Sequence, residues 1–219
     1  MFDITQIITT LVLIAFPLFM AIIFHEVAHG YTAYRLGDPT AKNAGRLTLN
    51  PLRHVDPLGT IIFPLMLVLI KSPFLFGWAK PVPFNPAYFE NPRKGIFWVA
   101  LAGPATNFAL AAGFFLLFKF LTMFQPSSAT AVGETVLTPV MLICFYGILV
   151  NIILGLFNLF PIPPLDGSKV LATFLPGRLA SQYMKLEKYG FLIIILLIFT
   201  GVIGWIFSHV FNSVYQLVM

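Results

Sequence analysis

Charge is scarce in this chain. Only 10% of its 219 residues are Asp, Glu, Lys or Arg, whereas 58% are hydrophobic, and the mean hydropathy is +0.90. A soluble domain carries about a quarter charged residues, so a water-soluble globular fold is excluded and a membrane protein is implied. Cysteine is nearly absent. The one thiol, Cys144, sits inside an apolar run, allows no internal disulfide and is expected to pack as a small hydrophobe. The N-terminal "MFDITQ" lacks a basic leader, and no small-residue cleavage site follows the first apolar run, which is therefore expected to be a retained span. Net charge is a modest +5 with the basic residues scattered over loops, which argues against nucleic-acid binding. There is no internal repeat, long linker or low-complexity tract, so residues 1–219 read as one domain.

Long apolar runs are what the chain does have. Five stand out, at about 6–36, 57–71, 95–123, 135–160 and 188–207. A helix needs roughly 20 apolar residues to cross the ~30 Å hydrocarbon core, and the second run is short and carries Pro64 at its centre. Charge separates the topologies. Arg35, Lys42, Arg46 and Arg53 follow the first run, Lys71, Lys80, Arg93 and Lys94 follow the second, and Lys169, Arg178, Lys185 and Lys188 follow the fourth. If the second run is re-entrant, all twelve lie on one side and only Lys119 is left near the other; if it crosses, the bias disappears. The positive-inside rule thus predicts four full spans plus a re-entrant hairpin, with the N-terminus outside and the basic loops in the cytoplasm. The tail "SHVFNSVYQLVM" reads either as an interfacial amphipathic helix or as a continuation of the last span.

Three ionisable residues break the first run. His25 and His29 are four apart, so on a helix they lie ~40° apart on one face, one turn from each other. That spacing lets two imidazoles share a metal ion. Glu26, ~60° around from His29, is within reach of a water on that ion. The pattern His-Glu-x-x-His is that of zinc proteases, with Glu26 as general base. Ionisable groups at membrane depth are costly, about 2.5–3.5 kcal/mol each for several types on insertion scales, which favours a functional role. A catalytic zinc site has three protein ligands and one open position. The third candidate is Asp166 in "NLFPIPPLDG" (158–167), which follows the fourth span on the basic side. His25 and His29 lie ~10–16 Å from the end of the first span on that same side. Pro161, Pro163 and Pro164 interrupt any helix there and leave unpaired carbonyls, which suits an extended peptide substrate beside the metal.

"HEVAH" together with "NLFPIPPLDG" resembles the site-2 protease family, intramembrane zinc metalloproteases of peptidase family M50. "AGPATNF" (102–108) resembles the family's G-P-x-x-N segment in an intervening core helix. The resemblance covers about residues 15–175, with a C-terminal span and tail at 188–219. It implies one zinc ion per chain held by His25, His29 and Asp166, with Glu26 activating water. It also implies that Asn158 and Asn107 help to position the substrate strand or the reacting carbonyl, with Pro161 and Pro163 lining the substrate path. The chain resembles the compact branch, without room for a PDZ domain between spans or a CBS domain after the last. Gly45 to Leu49 are expected to form a short membrane-associated β element for substrate addition. His54 and Asp56 are expected as gate groups or supporting groups near the metal.

The implied fold is an all-α polytopic membrane protein with about four transmembrane helices, the hairpin and the β element. The implied activity is endoproteolysis of transmembrane segments of membrane-embedded protein substrates near the cytoplasmic leaflet of a prokaryotic cell membrane. A transporter using the histidines as an ion site is the rival from another class, but no second half with a matching broken helix is visible. A catalytically dead scaffold is the other, and the intact Glu26 argues against it.

Overall fold

The computed structural model describes residues 4–69, 77, 79–123 and 133–218. Every regular element among them is helical. In chain order these are α1 (Ile4–Arg35), the single turn α2 (Thr40–Asn43), α3 (Phe63–Leu69), α4 (Pro92–Thr122), α5 (Thr138–Asn158), α6 (Asp166–Ala172), α7 (Gly177–Met184), α8 (Glu187–Phe199) and α9 (Val202–Val218). Wide π-type turns at Pro57–Ile62 and Gly133–Leu137 lead into α3 and α5.

Among the described residues three helices, α1, α4 and α5, are long and apolar enough to cross a membrane, and α8 with α9 supplies a fourth if that bent pair counts as one span. Only 28%, 28% and 39% of the best apolar windows of the three are buried within the protein. The rest of each helix, including Phe16, Trp98 and Leu116, turns apolar side chains outward, where lipid is their matching solvent. The chain is a multi-pass membrane protein.

Small residues let α1, α4 and α5 approach closely. Ala21, Ala100 and Ala111 are buried, and a Cβ on Gly147 or Gly155 would press into the Phe114 or Phe108 ring. Cys144 is buried beside Phe118, Phe145 and Ile148, in a cluster that α9 completes with Val214 and Val218. The fifth apolar run is not one straight helix. It breaks at Thr200–Gly201, where Gly201 adopts φ +78°, a left-handed conformation that ends a helix, and α9 leaves at 65° to α8. α8 begins with Gly190 against the Pro163 carbonyl, and α9 ends with Lys119 Nζ donating to Val218 O at 3.2 Å. The bent pair therefore reaches from the Pro161–Pro164 turn to the far end of α4, and the tail packs on the bundle as α9.

Two other expectations concern the loops after α1. No strand occurs among the described residues, and the expected β element at Gly45–Leu49 is a turn and bends. Gly45 at φ +64° closes the α2 turn and Arg46 N donates back to Ala41 O, so the segment opens as a turn rather than as a strand. The expected re-entrant run 57–71 falls partly outside the described residues; the part described is Pro57–Ile62 followed by α3, about 20 Å at helical rise and too short to cross alone.

Candidate metal centre

His25 and His29 are on the inner face of α1, one turn apart as their spacing requires, with rings edge-to-face at 4.6 Å between centroids. Asp166 arrives from 137 residues further on as the first residue of α6, directly after the proline-broken turn. Pro163 in that turn is buried, and a Cβ on Gly167 would collide with the Leu159 carbonyl, so the chain can fold back this tightly only with glycine after the aspartate. His25 Nε2 and His29 Nε2 are 3.0 Å apart, and Asp166 Oδ2 lies 3.0 and 3.1 Å from them. All three side chains are buried.

The protons on these rings follow from their outer partners. His29 Nδ1 is 2.6 Å from the Val99 carbonyl, which can only accept, so Nδ1 carries the proton. His25 Nδ1 donates to Asn107 Oδ1 at 2.6 Å. The amide of Asn107 is oriented by its own donors: Nδ2 gives hydrogen bonds to Ala21 O and to Asn151 Oδ1, each at 3.1 Å, and Asn151 Nδ2 donates to Gly147 O at 2.8 Å. Carbonyls at both ends of this relay leave no alternative direction. With Nδ1 committed to these outer partners, both rings direct Nε2 at the same Asp166 oxygen. Two imidazole nitrogens and one carboxylate oxygen, converging at 3.0–3.1 Å in a buried site, are placed to share one cation.

The triangle has the right size. Three donors of a tetrahedral zinc ion at ~2.0–2.1 Å stand about 3.3 Å apart, a few tenths of an ångström wider than here. Two imidazole nitrogens and one carboxylate oxygen are a donor set that zinc takes. Room is kept by Gly103 of α4, where a Cβ would stand 2.5 Å from His29 Nε2 and 2.6 Å from His25 Nε2. Burial pushes the Asp166 carboxyl up in pKa. The two facing imidazoles and Lys169, whose Nζ is 3.1 Å from Oδ1, outweigh it and hold the group well below the usual carboxylate range.

Glu26 is half-buried beside this cluster, and its Oε2 accepts a hydrogen bond from the Val82 backbone at 2.8 Å. Asn107 faces the outer nitrogen of His25 with both ends of its amide engaged, so the structure does not bring it to an open substrate path. Asn158, the last residue of α5, donates its amide to Leu154 O on its own helix at 3.0 Å. Pro161 is exposed, with its carbonyl taking a hydrogen bond from Tyr183 Oη, whereas Pro163 faces inward against α8. His54 and Asp56 stay outside the donor cluster: His54 Nε2 donates to Thr48 O, and Asp56 Oδ1 caps the next turn through Leu58 N and Gly59 N. Asn151 and the Val99 carbonyl were not singled out from the sequence. A lone asparagine in the apolar run "LVNIILG" was a visible signal for the first; a backbone carbonyl leaves none.

The sequence has informative relatives. The model of Peptidase family M50 matches residues 121–201, from the end of α4 through α8. "Putative zinc metalloprotease YwhC" of Bacillus subtilis is 38% identical over 199 residues, 90% of this chain and 84% of the relative. "Putative zinc metalloprotease Rip2" of Mycolicibacterium smegmatis is 30% identical over 193 residues, 88% of this chain and 69% of that one. "Putative zinc metalloprotease MJ0611" of Methanocaldococcus jannaschii is 42% identical over a shorter stretch of 73 residues, 33% of this chain. No solved structure matches. A relative sharing more than a third of its residues over most of both lengths leaves one assignment: the chain belongs to peptidase family M50, the site-2 protease family of membrane metalloproteases.

Proposed function

We propose that the protein is an intramembrane zinc metalloendopeptidase that cleaves transmembrane segments of membrane proteins near the cytoplasmic leaflet. One zinc ion per chain is held by His25 Nε2, His29 Nε2 and Asp166 Oδ2, and Glu26 is the general base. The observation that carries this is the convergence of three buried ligand-type atoms whose outer sides are locked by Asn107, Val99 O and Lys169. Supporting groups of this kind fix ligand tautomer and orientation in metal sites.

When bound, zinc polarises the peptide carbonyl and makes water acidic enough to attack at neutral pH. The chain's own residues do the rest. Asn107 and Val99 O hold the Nδ1 protons of His25 and His29, so Nε2 is the atom that each ring offers to a metal. Glu26 takes a proton from the attacking water as its oxygen bonds to the carbonyl carbon. It then passes that proton to the amide nitrogen as the C–N bond breaks, so a carboxylic acid and an amine leave and Glu26 is again ionised. Asn107, Asn158, Pro161 and Pro163 bear on this reaction indirectly: Asn107 through His25, and the other three by shaping the turn that delivers Asp166. The orientation follows the basic loops, with the N-terminus outside, the site toward the cytoplasm and a prokaryotic cell membrane as the setting.

The test is elemental analysis of purified chains beside a cleavage assay on single-span substrates in proteoliposomes. Wild type is expected to carry about one zinc per chain, Asp166→Ala to lose most of it, and Glu26→Gln to keep it while losing cleavage. Full zinc in Asp166→Ala removes that residue from the ligand set, and a fully active Glu26→Gln rejects the mechanism.

A further inference from the structure

Residues 79–85, "AKPVPFN", form no helix and no ladder, yet four ties hold them across the cytoplasmic half of α1. Lys80 N donates to His54 O at 2.9 Å, and Arg46 Nη2 donates to Lys80 O at 2.5 Å. Val82 N donates to Glu26 Oε2 at 2.8 Å, and Asn85 N donates to Asp38 Oδ2 at 2.6 Å. Burial alternates along this strap, with Val82 inside and Pro81 and Pro83 outside. Val82 packs so closely on α1 that a Cβ on Gly30 would stand 2.7 Å from its Cγ1.

The prolines make the contact with Glu26 specific. Neither Pro81 nor Pro83 has an N–H, so Val82 is the single backbone donor in that tripeptide, and its donor goes to the Glu26 carboxylate. A free glutamate side chain rotates about three bonds. A charge-assisted bond to Oε2 from a backbone itself anchored on both sides holds the carboxylate in one orientation and leaves Oε1 as the basic oxygen. Resting on the function proposed above, we propose that the Val82 main-chain amide is the positioning group for the general base, and that the strap stays in place during catalysis. The amide touches neither substrate nor metal and acts through Glu26 alone. A misplacement of ~1 Å in a catalytic group lowers turnover about a hundredfold, which sets the size of the effect.

The test exchanges the Val82 residue for its α-hydroxy acid by nonsense suppression, turning the amide into an ester with the same side chain. The same exchange at Ala87, whose N–H serves only Asn85 Oδ1, is the control. Cleavage of a single-span substrate in proteoliposomes and zinc content are measured for both, with Glu26→Gln in parallel. The expected result is kcat lowered about ten- to a hundredfold at position 82, with KM within about twofold, zinc content unchanged, and the Ala87 ester like wild type. An unchanged kcat overturns the proposal. So does a raised kcat, which makes the strap an inhibitory latch, or a raised KM alone, which makes the amide a substrate contact. Loss of zinc together with activity also overturns it, because the tie is then structural. If the ester is fully active while Glu26→Gln is dead, only this inference fails; if Glu26→Gln is also active, the functional reading fails with it.

Discussion

Gly103→Ala adds one methyl group at the point where it does most harm. The new Cβ would stand 2.5 Å from His29 Nε2 and 2.6 Å from both Cε1 and Nε2 of His25. Carbon–nitrogen contacts relax at about 3.3–3.5 Å, so something must move by roughly 0.8 Å. The imidazoles cannot give way cheaply, since their Nδ1 atoms are held at 2.6 Å by Asn107 and by the Val99 carbonyl one turn earlier on α4. Nor can α4 yield easily, with Val99, Ala100 and Asn107 all buried around the same turn. A zinc site tolerates displacements of ~0.2 Å, about a quarter of what the methyl imposes. The expected outcome is loss of stoichiometric zinc and of cleavage. Gly113→Ala is the internal control on the same helix: nothing lies within 4 Å of its new Cβ, and alanine is the better helix former by about 1 kcal/mol. It should keep zinc and melt at the same temperature or higher. Metal content after dialysis against a weak chelator, with circular dichroism to confirm helix content, reads both variants. Gly103→Ala that folds and retains one tightly held zinc would refute the reasoning, because the metal would then lie away from the His25–His29–Asp166 triangle.

Further outcomes follow from the groups around the site. Asn107→Ala leaves the buried His25 Nδ1–H without an acceptor and Ala21 O and Asn151 Oδ1 without that donor; zinc affinity should fall about 10- to 100-fold in a chelator competition, with thermal stability lowered as well. Asp38 ties the end of α1 to the strap. Burial raises its pKa, but hydrogen bonds from the Thr40 hydroxyl, Asn85 N and Thr40 N outweigh that and hold it below the ordinary carboxylate value. A depressed folded pKa contributes stability that is complete above the unfolded value of ~3.9 and is lost as pH falls through the lower folded one. Asp38→Asn should therefore melt at a lower temperature than wild type near pH 7, and its melting temperature should converge on that of wild type as the pH drops below ~4. A constant gap across that range would mean that the carboxylate charge is irrelevant to the tie.

Much of this protein is readable from local pattern. A chain with so few charges must place its apolar runs in lipid, and runs of about 20 residues there become helices because the bilayer satisfies no backbone group. His25 and His29 share a face by helical period alone, and a ligand pair at i and i+4 implies a third ligand elsewhere. The Pro-rich turn before Asp166 marks itself as a helix break. What no local pattern decides is which groups meet across helices. The family resemblance implied a substrate contact for Asn107, but its side chain turns toward His25 because Ala21 O and Asn151 take its donors. Gly103 carries no signal of its own in the sequence, yet it is the floor beneath two imidazoles. The expected strand at Gly45–Leu49 is a turn and bends, because Gly45 and Arg46 close back on α2, and the segment tied to Glu26 is 79–85 instead. The break at Gly201 was equally invisible, since a glycine in an apolar run is as compatible with a helix as with its end. Period and composition set which face of each helix is polar, because they act within a few residues. The partners of those faces were decided only when α1, α4, α5 and α6 packed together, since contacts between residues 82 to 141 positions apart depend on the register of whole helices.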